Sequence, residues 1–466
     1  MNTMLTDAAI QYTWDQIFYR LGLKQDASEI TFSDKKITFC YRSALGIEIP
    51  SDQYLLNILP CTTTDFDQLI NDLELKLIWL KKEAFLPNLS DEFPVEKLPV
   101  LFWGESASKN RFAEIQDGNR LIIHVDIIAS VFFLLSRIEE YSSKVSDRYG
   151  RYPFSESAAY RHGFIDLPIV DLYVKILKYW LEAATKQEIP DTHQFRVSLS
   201  HDIDFISLFR PVIKGIATIG KDALKMNVKN LGDDLHILFN SYNQDPYYSG
   251  INYLADQSEK FGFSSTFNIM AAAPSFRDTG YSLSSSIARN MLNIIIKKGH
   301  KIGLHSSFLS FNKPEKLAKE KSELEKFTGR NVDTVRSHYL RLETPDSWKI
   351  WQAAGIKYDT SYGFSEHVGF RCGTCFPYQP FDISEDKPIG IIEEPLVVMD
   401  TTLKSFQNFT LQEAREKINC LAALCKFVGG NFTLLWHNTS FFRDWMDWGN
   451  AYPEILSSLS SLLNNN

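Results

Sequence analysis

The stretch "VSLSHDIDF", residues 197–205, decides how this chain reads. Val197 to Ser200 has the composition of a buried β-strand. The strand then delivers His201, Asp202 and Asp204. Carboxylates at the end of an apolar strand are costly to bury without a partner. Side chains at i and i+2 of a strand share a face, so Asp202 and Asp204 point into one site while His201 points away. His201 is expected to be hydrogen-bonded in the layer between sheet and helices. A carboxylate with a histidine is a common ligand pair for zinc or another divalent metal. A second carboxylate beside the metal can act as base for a bound water.

Outward from this strand, residues 194–466 alternate strand and helix. Expected strands are "FRVSLSH", "FSSTFNIM", "HKIGLHS", "TVRSHYL", "IKYDTS", "GIIEEPLVVM" and "FTLLWHN". Expected helices include "PEKLAKEKSELEKFTG", "PDSWKIWQAAG", "LQEAREKINCLAALCKFVGG" and "YPEILSSLSSLL". Such alternation predicts a parallel sheet or barrel covered by helices, with its chemistry at the C-terminal ends of the strands. The ionisable residues fall there. Asp202 and Asp204 end the first strand and His305 the third. Arg336, His338 and Arg341 surround the end of the fourth. Asp359 ends the fifth and His437 the last.

Residues 1–190 are of mixed type and predict a separate, smaller α+β domain. "EITFSDKKITFCYRS" reads as two short strands around a polar turn, and "LPVLFWG" as another strand. "DFDQLINDLELKLIWLKKEAF", "VDIIASVFFLLSRIEEYSS" and "PIVDLYVKILKYWLEAATKQ" read as helices, with "EIPDTH" as the linker that follows. Arg161 and His162 are expected to make surface or interdomain hydrogen bonds.

The chain has 466 residues, 44% hydrophobic and 23% charged, and a formal net charge of -8. That is an ordinary globular composition, and its sign argues against general affinity for nucleic acid or anionic membrane. The N-terminus carries no basic segment followed by an apolar one. The longest apolar runs are too short for a bilayer. A cytoplasmic protein without membrane insertion is the expectation. Six cysteines in so long a chain make no disulfide framework. Cys372 and Cys375 form a C-x-x-C without a second pair, so packing is preferred over zinc or redox roles.

In order, "SHDID", "GHKIGLHSS", "VRSHYLR", "YDTS" and "LLWHN" resemble the motifs of the polysaccharide deacetylases (NodB-type, carbohydrate esterase family 4). The resemblance covers roughly residues 195–440 and is strongest to a bacterial subgroup with an extra N-terminal domain. It implies a distorted (β/α) barrel, a single divalent metal, most simply zinc, and a carbohydrate substrate from which an N- or O-acetyl group is removed. Residue by residue, it implies Asp202 as catalytic base, Asp204 and His305 as metal ligands, Arg336 as the group steadying the base, and His437 as general acid. The family's second motif has another histidine four residues after the first. Here that position is Leu309, which cannot ligate a metal. His338, two residues beyond Arg336 and on the same side, is the candidate replacement.

Arg341, Arg371, Trp436 and Asp359 are candidates for contacting substrate, and Asp400, Glu393 or Glu394 for orienting His437. The competing expectation is a barrel disabled at Leu309 and kept as a glycan-binding or scaffold protein. Without a leader, the enzyme is expected to act on a precursor of a surface glycan.

Overall fold

A computed structural model describes residues 5–23, 29–32, 35–41, 53–72, 74–88, 92–208, 242–278 and 281–464. The chain divides into two compact units. The first contains Met1–Arg196, Gly369–Pro395 and Ala423–Phe432; the second contains Val197–Val368, Leu396–Ala422 and Thr433–Asn466.

In the first unit, β1 (Glu29–Phe32), β2 (Lys35–Tyr41), β3 (Gln53–Ile58), β6 (Ala113–Gln116) and β7 (Arg120–Ile123) form one sheet in the order β1-β2-β3-β7-β6. The pair expected around "SD" forms antiparallel, Glu29 opposite Thr38. The single helix expected over residues 65–85 does not form: among the described residues Thr63–Asn71 is helical, and a short helix, Lys82–Phe85, closes the stretch. The apolar "LIWL" that follows enters β4 (Ile78–Lys81), which pairs antiparallel with β5 (Lys97–Val100). A cross-strand partner outweighed the helical spacing. The apolar helix Ile127–Ser136 stops at Arg137, which takes left-handed backbone at φ 56 before Ile138–Ser142 resumes. Later in the chain, β13 (Phe381–Asp382) and β14 (Lys387–Pro388) pair antiparallel, and Glu393 of β15 (Ile392–Glu393) bridges Tyr378.

The second unit is α/β with a curled, half-barrel parallel sheet, as the motif order implied. Its strands are β8 (Arg196–Ile203), β9 (Ser265–Met270), β10 (Lys301–Ser306), β11 (Thr334–Ser337), β12 (Tyr358–Asp359), β16 (Val398–Met399) and β17 (Asn431–Leu435). They lie in the order β12-β11-β10-β9-β8-β17-β16. The expected strand "GIIEEPLVVM" is two, because Pro395 has no N–H to place in a ladder. "TVRSHYL" is strand only to Ser337, and His338–Leu340 turns out of the ladder through left-handed backbone at Tyr339 and Leu340.

Helices cover the sheet for legible reasons. Ser285 caps Ser286–Lys297 by accepting from the Ala288 N–H. That helix buries Ile287, Ala288, Met291, Leu292 and Ile295 on one stripe. Each large aliphatic chain so buried contributes about 1.5–3 kcal/mol. Pro314 opens Pro314–Thr328, and Gly329 closes it in left-handed backbone at φ 64.

Candidate functional site

The site is built on β8, in the interior of the sheet, with contributions from strands on both sides. Asp202 occupies the penultimate position of β8 and is 3% exposed. Its Oδ1 accepts a 2.7 Å hydrogen bond from Asn268 Nδ2 of β9. Asn268 stands opposite Gly303 of β10. A β-carbon at 303 would lie 2.3 Å from Asn268 Oδ1, so only glycine leaves this amide its place. Asn268 carries no sequence signal of function, being one polar residue inside an apolar strand.

Asp204 follows the end of β8. His305 Nε2 lies 3.0 Å from its Oδ1 and His338 Nε2 3.5 Å from the same oxygen. One ligand atom from each of Asp204, His305 and His338 falls within a mutual 4.8 Å, so this group is able to hold a divalent metal. The chemistry of the donors fits. His305 Nδ1–H donates to the Arg336 carbonyl at 2.9 Å, and His338 Nδ1 meets Asp278 Oδ1 at 2.9 Å. Both Nδ1 atoms are thereby occupied and both Nε2 atoms face the aspartate, the arrangement metal-binding histidines favour. The rings meet edge to face, with centroids 5.0 Å apart. Leu309, at the position of the absent family histidine, is 42% exposed.

The charges reinforce one another. Burial works against the Asp204 carboxylate, but His338 and the His305 hydrogen bond hold it well below the usual range. Burial would depress His305, yet Asp202 and Asp204 raise it above its ordinary value. A metal would therefore displace a proton from this histidine.

On the other side of β8, His437 follows β17. Its Nδ1 is 2.7 Å from Asp400 Oδ1, and Asp400 Oδ2 accepts from the His437 N–H at 2.9 Å and from Ser440 Oγ at 2.6 Å. Asp400 is fully buried. Burial alone would lower His437, but the Asp400 charge and hydrogen bond push it up to about 9. Asp400, not Glu393 or Glu394, is the partner of this histidine. His201 points into the helix layer as expected. Its Nδ1 contacts the Trp436 carbonyl at 2.8 Å, and burial lowers its pKa to about 4.

Other candidates lie elsewhere. Arg336 sends Nε to Thr360 Oγ1 and Nη2 to Ser200 Oγ, and Asn268 takes the place expected of it at Asp202. Arg341 donates to the Phe308 carbonyl and covers the Phe308 and Phe311 rings at 4.2 and 3.8 Å. Asp359 is buried, accepting from Trp348 Nε1 and the Ser361 N–H. Trp436 is buried against Tyr452 and Trp448 in the core. Arg371 belongs to the first unit, where it is buried against Glu140 at 2.8–2.9 Å. There Cys372 and Cys375 are free, buried thiols; burial raises Cys372 to about 11, which suits packing rather than redox chemistry.

Comparison with known proteins finds low similarity. Residues 2–186 match the model of a family of unknown function (DUF7033). No curated protein matches. A Mycobacterium smegmatis structure described as a "putative polysaccharide deacetylase" is 14% identical, covering 58% of this chain and 86% of its own, with a TM-score of 0.39. A family 4 carbohydrate esterase from Streptomyces lividans, in complex with acetate, is 8% identical over 59% and 90%, TM-score 0.30. A CE4 family pseudoenzyme from Bacillus anthracis is 10% identical over 57% and 61%, TM-score 0.31. These are distant likenesses, and the chemistry is read from the residues themselves.

Proposed function

We propose that the second unit is a metal-dependent hydrolase that removes an acetyl group from a sugar or glycan precursor. The observation that carries this reading is the pairing of an Asp204, His305 and His338 cluster with a histidine, His437, held protonated by Asp400. When bound, a divalent cation, zinc in this proposal, supplies a Lewis acid for an acyl oxygen and for water. Asp204, His305 and His338 would hold it.

Asp202 is oriented by Asn268 to take the proton from the attacking water. His437 presents Nε2–H to the leaving amine or alcohol, and Asp400 keeps that proton available near neutral pH. Asp202 lies on the strand between the two histidine groups, so base and acid can address opposite sides of one acyl carbon. Arg336 supports the β8 end through Ser200.

None of the helices among the described residues is long and apolar enough to cross a membrane. A cytoplasmic location and a carbohydrate partner remain part of this proposal, as does a separate role for the N-terminal domain in bordering the substrate or in assembly.

The test is acetate release from acetylated amino sugars and acetylated oligosaccharides by zinc-loaded protein, with Asp202→Asn alongside. Turnover by the wild type and its loss by more than about a hundred-fold in a variant that keeps fold and metal are expected. Metal held without acetate release from any of these substrates would refute the reading in favour of glycan binding alone.

A further inference from the structure

We infer that Asp278 is the positioning residue that makes His338 the third metal ligand, an inference that rests on the metal-site reading above. Asp278 lies in the segment after β9 and is fully buried. One oxygen, Oδ1, accepts from the Phe308 N–H at 2.7 Å and meets His338 Nδ1 at 2.9 Å. The other, Oδ2, accepts from Ser275 Oγ at 2.8 Å. A single carboxylate thus joins the segments that follow β9, β10 and β11.

The geometry explains both what His338 does and what Leu309 does not. With Nδ1 turned to Asp278, only Nε2 of His338 is left to face Asp204. On the same segment, buried Glu320 accepts from the Ser307 N–H at 2.9 Å and from Ser307 Oγ at 2.5 Å. Two successive amides are therefore fixed by carboxylates, and the chain leaves Phe308 with Leu309 turned to solvent. Immediately after His338, Tyr339 and Leu340 both take left-handed backbone, at φ 64 and φ 53, which is unusual for side chains of this size. The turn that swings His338 inward is under strain, and the Asp278 bond holds its product in place.

The alternative is that Asp278 only staples a loop. The two ideas part on metal affinity, measured on the full chain by competition for Zn2+ with a chromophoric chelator. The melting temperature of the metal-free protein and the visible spectrum of the Co2+-loaded protein are recorded alongside. Outer partners of ligating histidines typically control affinity by 10–100-fold. Asp278→Asn is expected to weaken Zn2+ binding about ten-fold and Asp278→Ala about a hundred-fold. Both should shift the Co2+ bands, and Asp278→Asn should leave the metal-free melting temperature at the wild-type value. Ser275→Ala, which removes a loop bond but not the contact to His338, should bind Zn2+ as the wild type does. Asp278→Asn decides the matter should Asp278→Ala fail to fold.

Wild-type affinity in Asp278→Asn overturns the inference, as does an equal loss in Ser275→Ala. His338→Ala separates this from the larger reading. If it binds Zn2+ as tightly as the wild type, or if the wild type binds none, the metal triad itself is wrong. If it loses Zn2+ while the Asp278 variants keep theirs, only the positioning role fails.

Discussion

Replacing Asp400 by asparagine keeps the shape of the residue beside His437 and removes its charge. His437 is buried, and the Asp400 charge and hydrogen bond are the largest influences opposing the effect of that burial. A rise from 6.5 to about 9 corresponds to about 3 kcal/mol in favour of the imidazolium. Without the Asp400 charge, burial is opposed only by the smaller pull of Asp204 and Asp202, and His437 falls back toward its ordinary value of about 6.5. A general acid works in its protonated form, so activity holds below its pKa and is lost above it. At pH 8 the wild type is then about 90% protonated and Asp400→Asn about 3%, a loss of about 30-fold; at pH 6 the loss is under about two-fold. A cation at Asp204 offsets the smaller contributions of Asp204 and Asp202, so the two proteins are compared under the same metal loading. The assay is the pH dependence of kcat/KM for acetate release. The metal-free chain gives a second reading. A histidine raised by folding stabilises fully below its unfolded value near 6.5 and loses that contribution as pH rises through about 9. Chemical unfolding of the wild type should therefore show a decline of up to about 3 kcal/mol across that window that Asp400→Asn lacks. An equal fall in activity at every pH would refute the assignment of His437 as acid.

Gly303→Ala should displace the Asn268 amide and lower kcat about ten-fold or more with zinc content unchanged, read by turnover and elemental analysis. Leu309→His should leave zinc stoichiometry and affinity as they are, because position 309 faces solvent; tighter binding would show that the segment after β10 can still deliver a ligand. Arg371→Ala should destabilise the protein by about 3–5 kcal/mol in denaturant unfolding without changing the zinc affinity of what remains folded, since it strips a buried partner from Glu140 in the other unit. Trp436→Ala should cost about 3–5 kcal/mol as a core deletion.

The parts of this fold that were legible share one property: their signal is local and repeated. Each strand of the second unit carries its own apolar run and its own polar terminus, so β8, β9, β10 and β17 fall within a few residues of the expected "FRVSLSH", "FSSTFNIM", "HKIGLHS" and "FTLLWHN". The errors came where a distant partner decided. "LIWL" has helical spacing to its left but found β5 on the other side. "GIIEEPLVVM" reads as one strand, but Pro395 divides it. The same division holds in the site. Asp202, Asp204, His305 and His437 announce themselves as charged residues ending apolar strands. Asn268 and Asp278 do not, because one is a single amide in a strand and the other a single acid in a polar loop. Asp359 and Arg371 misled because a buried ion pair or indole contact imposes the same residue types as a catalytic rim.

The position of His338 shows why spacing alone was not enough. In the sheet order β11-β10-β9-β8, His338 starts three strands from Asp204 and His305 two. At about 4.8 Å per strand, a flat sheet would hold their backbones about 14 and 10 Å away. His305 closes its gap with an imidazole across the curl of the sheet, to 3.0 Å. His338 has a strand further to come and arrives by leaving the ladder. Ser337 is the last paired residue, and the turn through Tyr339 and Leu340 redirects the ring toward Asp204. A β11 that continued extended through Leu340 would carry His338 along the sheet instead. Relaxing that turn is therefore a direct perturbation of the proposed metal site: Tyr339→Gly removes the steric penalty of the left-handed position while leaving Asp204, His305 and His338 in the sequence. Two consequences compete in this variant. Loss of strain stabilises the turn, while loss of the ring that packs 4.4 Å from the His338 imidazole frees that imidazole to move. If the backbone turn alone delivers His338, zinc affinity will hold or rise. If the Tyr339 ring is needed to keep the imidazole on course, affinity will fall about ten-fold at unchanged stoichiometry, and Tyr339→Asn, which tolerates the same backbone, will fall with it.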